Sequence, residues 1–269
     1  MSQSALALPI FPRTLMWDKV NLPAGESRVK AVLLDIEGTT TPVEFVYRVL
    51  FPYARQQVRN FLLRHQNSPG VRHDIELLRK ERGLDLAHGL EPPDWRDDPA
   101  EAFLDFAVAY FHWLMDRDRK STGLKSLQGK IWEQGYLAGK LRSEVYADVP
   151  PALSRWHEQK KEVCIFSSGS VLAQKLLFAH TTAGDLTEFI GNNFDTTTGS
   201  KTNPESYRRI SAALGLHPQD ILFVSDTQTE LDAAKPAGIK TLLCVRPGRE
   251  RPPTATHPII ETFDEIPAW

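Results

Sequence analysis

The sequence predicts an α/β fold: a Rossmann-like parallel sheet with helices on both faces, interrupted by an inserted helical cap domain. Three observations carry this expectation. Short apolar runs recur at Val29–Leu34, Glu162–Phe166, Ile221–Val224 and Thr241–Val245. In the second half these runs alternate with helical periods, and strand–helix alternation implies a parallel sheet. The first run and the next core run stand about 130 residues apart, whereas a parallel crossover needs only a dozen or more, so roughly a hundred residues are inserted between them.

The elements follow in order. In residues 1–28 Pro9, Pro12, Pro23 and Gly25 break any period, so a loosely ordered leader is expected. Val29–Leu34 is continuous and rich in Val and Leu, which suits a strand buried on both faces, and it stops at Asp35. From residue 45 the spacing becomes helical: Val46, Val49, Leu50 and Tyr53, then Val58, Phe61 and Leu62, then Ile75, Leu77 and Leu78. Pro92, Pro93 and Pro99 mark a loop. Glu101–Met115 is apolar on most sides and is expected deep in a helical layer. The next stretch, to Leu141, carries Gly123, Gly129, Gly135 and Gly139, a sign of close contacts or breaks, and the insert closes at Asp148–Pro151. Beyond it come strand Glu162–Phe166, helix Ser170–Phe178, strand Phe189–Phe194, and helix Pro204–Leu214 with Gly215 as its C-cap. Strand Ile221–Val224, helix Glu230–Ala237 closed by Gly238, and strand Thr241–Val245 complete the pattern. The expected division is a leader over 1–28, a discontinuous core over 29–44 and 151–269, and a cap over 45–150.

Composition narrows the function classes. Hydrophobic residues make up 41% and charged residues 25%, ordinary globular values that argue against disorder. Lys and Arg total 32 against 34 Asp and Glu, so the basic excess typical of a duplex-binding protein is missing and no nucleic-acid partner is expected. No stretch reaches the roughly 18 apolar residues that span a bilayer. The nearest, Phe106–Met115, contains His112 and stops at Asp116, so no membrane partner is expected either. Ala5–Phe11 is short, broken by Pro9 and lacks a basic lead, unlike a signal peptide. Cys164 and Cys244 each sit in an apolar run and read as buried reduced thiols, which points to a reducing compartment. The expectation is the cytoplasm, with the nucleus open as a second location.

In open α/β sheets ligands bind beyond the carboxyl ends of the strands. That rule directs attention to Asp35, Ser167, Asp226 and Arg246. Asp35 and Glu37 stand just before Gly38, where two carboxylates can converge, as nucleophile or as ligand of a hard cation. Ser167-Ser168-Gly169 opens a helix, and hydroxyls with free backbone N–H groups there can hold an anion. Lys201 lies just ahead of a helix that starts at Pro204, where it could neutralise a phosphate or steady a carboxylate. Asp226 follows another buried strand, with Glu230 four residues on. Taken singly, each has an ordinary explanation as a cap or a solvated side chain. Their order on one sheet is the informative part.

This order of Asp, Ser, Lys and a final acidic pair resembles the haloacid dehalogenase-like hydrolase superfamily. The segment inserted between the first and second motifs is similar to that superfamily's cap. Leu34-Asp-Ile-Glu-Gly-Thr-Thr-Thr-Pro42 carries Glu at the place where phosphatases of the superfamily usually have Asp. That run, Phe51-Pro-Tyr-Ala-Arg55, Leu127–Trp132 through Ala147–Val149, and Ser167–Phe178 resemble the enolase-phosphatases (acireductone synthases) of methionine salvage.

The resemblance implies a substrate, 2,3-diketo-5-methylthiopentyl-1-phosphate, which is enolised and then dephosphorylated to acireductone. It implies Asp35 as nucleophile and Mg²⁺ ligand, and Asp226 as a second ligand. It implies Glu37 as a ligand through its carbonyl, with its side chain as the acid–base group and a candidate enolisation base. Glu230 would hold a metal-bound water, Ser167, Ser168 and Gly169 would grip the phosphate, and Lys201 would neutralise it. Lys130, Trp132 and Glu144 of the cap are candidates for the methylthio-diketone end, alongside packing and surface charge. One Mg²⁺ per chain and a monomer are expected. The nearest rival is another capped phosphatase or a sugar-phosphate mutase of the superfamily, and a mutase would carry Asp in place of Glu37. A non-catalytic phosphate binder on this fold would be expected to lack Asp35, Lys201 or Asp226.

Overall fold

The computed structural model describes residues 29–96 and 100–266; the segment 1–28 and Pro99 lie outside the described residues. Strand β1 (Ala31–Leu34) is followed by helix α1 (Val43–Phe45), a π-helical turn over Val46–Leu50, and helices α2 (Phe51–His65), α3 (Pro69–Ala87), α4 (Ala100–Asp116) and α5 (Thr122–Leu137). Then come α6 (Val149–Glu158), β2 (Glu162–Phe166), α7 (Val171–Ala179), β3 (Asn192–Phe194), α8 (Pro204–Leu214), β4 (Ile221–Ser225), α9 (Gln228–Ala234), β5 (Lys240–Cys244) and β6 (Ile259–Ile260).

The strands pair in parallel in the order β3-β2-β1-β4-β5-β6. β1 is central, and Leu34 lies opposite both Ile165 and Val224. The residues that leave β1, β2 and β4 therefore emerge side by side at one edge. Side chains alternate across the sheet, as the pleat requires. Val32 and Leu34 bury against Val149, Leu153 and Trp156 of α6 and Leu177 and Phe178 of α7. Ala31 and Leu33 bury against Tyr207 and Ile210 of α8 and Leu231 and Ala234 of α9. Helices thus cover both faces, which is why the central strands β1 and β4 are almost wholly apolar. Cys164 and Cys244 are buried and free.

A separate cluster, from Phe45 to Leu141, holds Val58, Phe61, Leu78, Tyr110, Phe111, Leu127 and Ile131 and draws in Leu176 from α7. The apolar α4 lies in this cluster, and its Tyr110 and Phe111 are wholly buried. The α5 glycines at 123 and 135 mark close approaches: a Cβ on Gly135 would stand 2.7 Å from both Leu141 and Tyr53, and one on Gly123 would stand 3.1 Å from the Asp74 carbonyl. Gly139, with φ +67°, ends the helical stretch.

Several local boundaries differ from the sequence expectation. The strand expected over Phe189–Phe194 begins only at Asn192, because Thr187–Phe189 close a 3₁₀ turn. The helix expected from Glu230 starts at Gln228, with Thr227 as its N-cap residue. The prolines at 150 and 151 open α6, in whose first turn a missing N–H leaves no bond unmade. β6 has two residues, too few for a recognisable period. The chain returning from the helical insert is tied to the β1 loop by Tyr146 N–H donating to the Thr40 carbonyl at 3.0 Å.

Candidate active site

The turn after β1 is wound tightly. The N–H groups of Thr39, Thr40 and Thr41 all donate to the Ile36 carbonyl, at 3.2, 2.9 and 2.9 Å. Gly38 takes φ +75° within it, and a Cβ there would fall 2.0 Å from Asp226 Oδ2. Only glycine lets the β1 turn and the β4 end approach this closely. The Thr39 hydroxyl joins the two strand ends: it donates to Asp35 Oδ2 at 3.3 Å and accepts from Asp226 N–H at 2.9 Å.

Asp35 is 3% exposed, and its other oxygen accepts from the Lys201 ammonium. Lys201 also lies 2.6 Å from Glu230 Oε2, so one cation from the loop before α8 bridges a carboxylate of the β1 turn and one of α9. Burial works against the Lys201 charge, but Asp35 and Glu230 outweigh it and hold the ammonium well above the ordinary lysine range. The Lys201 loop is anchored by the Tyr207 hydroxyl, which donates to the Lys201 carbonyl at 2.6 Å, and by the Asn203 cap of α8. Glu230 also accepts from the Ser225 hydroxyl at 2.8 Å. Burial and then the Asp35 charge push Glu230 up to about 7. Asp226 presents surface to solvent at the mouth while its inner side packs on the β1 turn; desolvation there and the Asp35 charge push it up to about 6.

Opposite them, the β2–α7 loop brings Ser167, Ser168 and Gly169. The Ser167 hydroxyl lies 3.4 Å from Glu37 Oε2 as a donor and accepts from Gly169 N–H at 3.1 Å. Ser170 caps α7 by accepting from Ala173 N–H at 3.3 Å. Burial, and then the Asp35 charge, raise the Glu37 carboxyl above its usual range. Asp35, Glu37, Ser167, Ser168, Gly169, Lys201, Asp226 and Glu230 all come from loops at one sheet edge or from the first turn of α9. Carboxylates, one ammonium and a partly buried loop of hydroxyl and N–H donors are a setting for phosphoryl transfer. Among the described residues, no three His, Cys, Asp or Glu side chains converge into a metal cage.

A cavity of about 110 Å³ opens between these loops and α5. Val46, Leu50, Phe51, Leu124 and Trp132 form an apolar wall, and Lys125, Gln128 and Ser168 also line the cavity. Trp132 is among the cap candidates; its indole N–H donates to the Leu50 carbonyl at 2.8 Å, and its ring stacks on Phe51 at 6.2 Å. Lys130 and Glu144 do not line the cavity. Lys130 is held on another face of α5 by the Asp74 carboxylate and by the Ser126 hydroxyl at 2.9 Å, and Glu144 is exposed beyond the helix.

Arg246, at the end of β5, is 2% exposed and serves as a brace. Its guanidinium donates twice to the Thr39 carbonyl, at 2.9 and 2.5 Å, and to Asp148 at 2.6 Å, between the rings of Tyr146 and Phe263. Sequence reading missed Lys125 and Gln128. The available signal was their shared face with Leu124 and Trp132 at three- and four-residue spacing.

Comparison with known proteins agrees with this geometry. A family model for haloacid dehalogenase-like hydrolases matches residues 29–238. An enolase-phosphatase E1 from Synechococcus elongatus is 50% identical over 238 residues, covering 88% of this chain and 98% of its own length. One from Klebsiella pneumoniae is 42% identical and is covered over 96% of its length. Among solved structures, the UTR4 protein of Saccharomyces cerevisiae is 33% identical with a TM-score of 0.70, over 88% of this chain and 99% of that one. A haloacid dehalogenase-type phosphatase from Thermococcus onnurineus, 20% identical with a TM-score of 0.53, shares the fold. Matched over nearly the whole length of these relatives, the chain belongs to the enolase-phosphatases of the haloacid dehalogenase-like hydrolases.

Proposed function

We propose that this protein is a bifunctional enolase-phosphatase that converts 2,3-diketo-5-methylthiopentyl-1-phosphate to acireductone and phosphate in methionine salvage. The observation that carries the reading is the Asp35–Lys201–Glu230 cluster facing the Ser167–Gly169 loop, with Glu37 where a general phosphatase carries Asp. Family membership supplies the substrate class.

The donor set fits a single Mg²⁺. Asp35 and Asp226 are hard oxygen donors, and burial and then the Asp35 charge raise the proton affinity of Asp226, a strain that a divalent cation relieves. Mg²⁺ commonly uses only one or two carboxylates and keeps water and substrate oxygens in its remaining positions, so a closed protein cage is not required. Asp35, Asp226 and the Glu37 carbonyl would hold it, with Glu230 behind a bound water. When bound, it supplies neutralisation of the phosphoryl charge.

The chain's own residues do the rest. Ser167, Ser168 and the Gly169 N–H orient the phosphate. Asp35 attacks phosphorus and forms an aspartyl-phosphate as the ester oxygen leaves, which splits one displacement into two. Lys201 holds Asp35 in place and offsets phosphate charge. Glu37, beside Ser167, gives a proton to the leaving oxygen and then takes one from the attacking water. The same carboxyl is the candidate base for enolisation. Full enolisation retained in both Glu37→Asp and Glu37→Gln would remove it from that role.

The division into a core of 29–44 and 151–269 and a cap of 45–150 is part of this reading, with Val149 belonging by its packing to the core. So are a monomer and a cytoplasmic location. Among the described residues no helix is long and apolar enough to cross a membrane, and a nuclear location finds no support. The deciding experiment supplies the diketone phosphate with Mg²⁺ and follows acireductone absorbance and phosphate together. Both signals should appear and both should vanish in Asp35→Asn. Phosphate release without an enol intermediate would leave a phosphatase of another small metabolite.

A further inference from the structure

The cavity under α5 contains polar groups that phosphate transfer does not use. Gln128 is 6% exposed, lines the cavity and makes no side-chain hydrogen bond among the described residues. Its amide atoms are not sealed off in the packing but open onto the cavity, within reach of a ligand there. Lys125, three residues earlier on the same face, reaches across from the cap. Its ammonium donates to the Ser168 carbonyl at 2.9 Å and lies 3.5 Å from the Thr196 hydroxyl. It makes no ion pair among the described residues. The neighbouring cavity arginine, Arg119, is already engaged by Glu81 and Asp85. Burial, and then Lys120, lower the pKa of Lys125, and Asp195, Asp118 and Glu37 raise it. Its hydrogen bonds go to neutral oxygens, so among the described residues no carboxylate is in contact with its charge.

We propose that Lys125 and Gln128 form the subsite that recognises the substrate's adjacent carbonyls, with Lys125 at the oxygen that becomes the enolate. This rests on the enolase-phosphatase reading. Enolisation removes a proton from the phosphate-bearing carbon to a base. The C–H electron pair becomes the new C=C bond, the carbonyl π pair moves to its oxygen, and that oxygen takes up a proton. Negative charge grows on an oxygen two carbons from the phosphate ester. An ammonium bonded to the loop that grips the phosphate stands at that range, in a cavity with an apolar wall. Gln128 can donate to the second carbonyl, and Leu124 and Trp132 continue the same helical stripe as an apolar wall for the methylthioalkyl end.

The test compares kcat/KM for the diketone phosphate with kcat/KM for an alkyl phosphate of the same length without carbonyls. Because the ratio is internal to each variant, a partly unfolded sample does not distort it. Losing a charge-assisted bond should lower the ratio by roughly 10–100-fold in Lys125→Met, and losing a neutral bond by roughly 3–10-fold in Gln128→Leu. Lys125→Arg should fall between wild type and Lys125→Met. An unchanged ratio in Lys125→Met overturns the proposal. A wild-type enzyme that fails to enolise the diketone phosphate sinks the parent reaction instead. The subsite is then decided by binding: a 2-ketoalkyl phosphonate must bind wild type more tightly than the plain alkyl phosphonate, and Lys125→Met must erase that preference. Equal affinities in the wild type overturn the subsite.

Discussion

Gly38→Ala perturbs the site through backbone geometry alone. The added methyl carbon would lie 2.0 Å from Asp226 Oδ2 and 2.7 Å from its Cγ, with the backbone already at φ +75°. The left-handed conformation costs an alanine about 1–2 kcal/mol. Relief of the collision requires the Asp226 carboxylate or the β1 turn to move by at least about 1 Å, which at a reacting centre costs on the order of 100-fold in rate, or about 2.7 kcal/mol of barrier. Gly215→Ala is the control: it has φ +64° but nothing within 4 Å, so it should show the conformational cost without the loss of rate. The assay is Mg²⁺-dependent phosphate release together with equilibrium urea unfolding. Gly38→Ala activity within threefold of wild type would refute the reasoning, because it would mean the Asp226 position tolerates displacement.

Other outcomes follow from the same packing. Arg246→Ala leaves the Thr39 carbonyl and the Asp148 carboxylate without their shared donor, so urea unfolding should show a loss of about 3–5 kcal/mol; a loss below about 1 kcal/mol would contradict a bracing role. Gly135→Ala gains helix propensity but collides with Leu141 and Tyr53 at 2.7 Å, so a net loss of about 1–2 kcal/mol is expected, and a more stable variant would show that the cluster yields freely. In metal-free protein, Asp226 and Glu230 sit at about 6 and about 7, above their unfolded values, so the folded state holds the extra protons and stability declines as pH rises from about 5 to 7. Thermal melts should therefore give a higher Tm at pH 5.5 than at 7.5, with Mg²⁺ narrowing the gap; a Tm that rises with pH would mean these carboxylates are not crowded.

The ordering of the site was legible because each of its parts is local. A continuous apolar run must be a buried strand here, and the residue that follows it must leave at the sheet edge. Asp35, Ser167 and Asp226 are therefore placed by β1, β2 and β4 without knowledge of side-chain packing. Pro204 and Gly215 bracket α8 by their own backbone preferences, so that helix could be read at both ends. β6 could not, since two residues carry no period and are held as a strand only by the Leu243 and Cys244 backbone beside them.

By itself, the sequence determined the strand–helix alternation, the insertion after β1 and the order of the chemical groups, because these depend on short-range periodicity and backbone preference. Tertiary structure alone decided which cap residues line the cavity. Lys125 and Lys130 have the same composition signature, yet five residues on a helix turn the side chain about 140°. One is bonded to the Ser168 carbonyl, the other to Asp74. It also decided that Arg246, at a strand end like Asp35 and Asp226, points into the fold, where three acceptors and two rings take its charge. Neither outcome is encoded within a few residues of the side chain, because both are set by what the distant chain brings within about 3 Å of it.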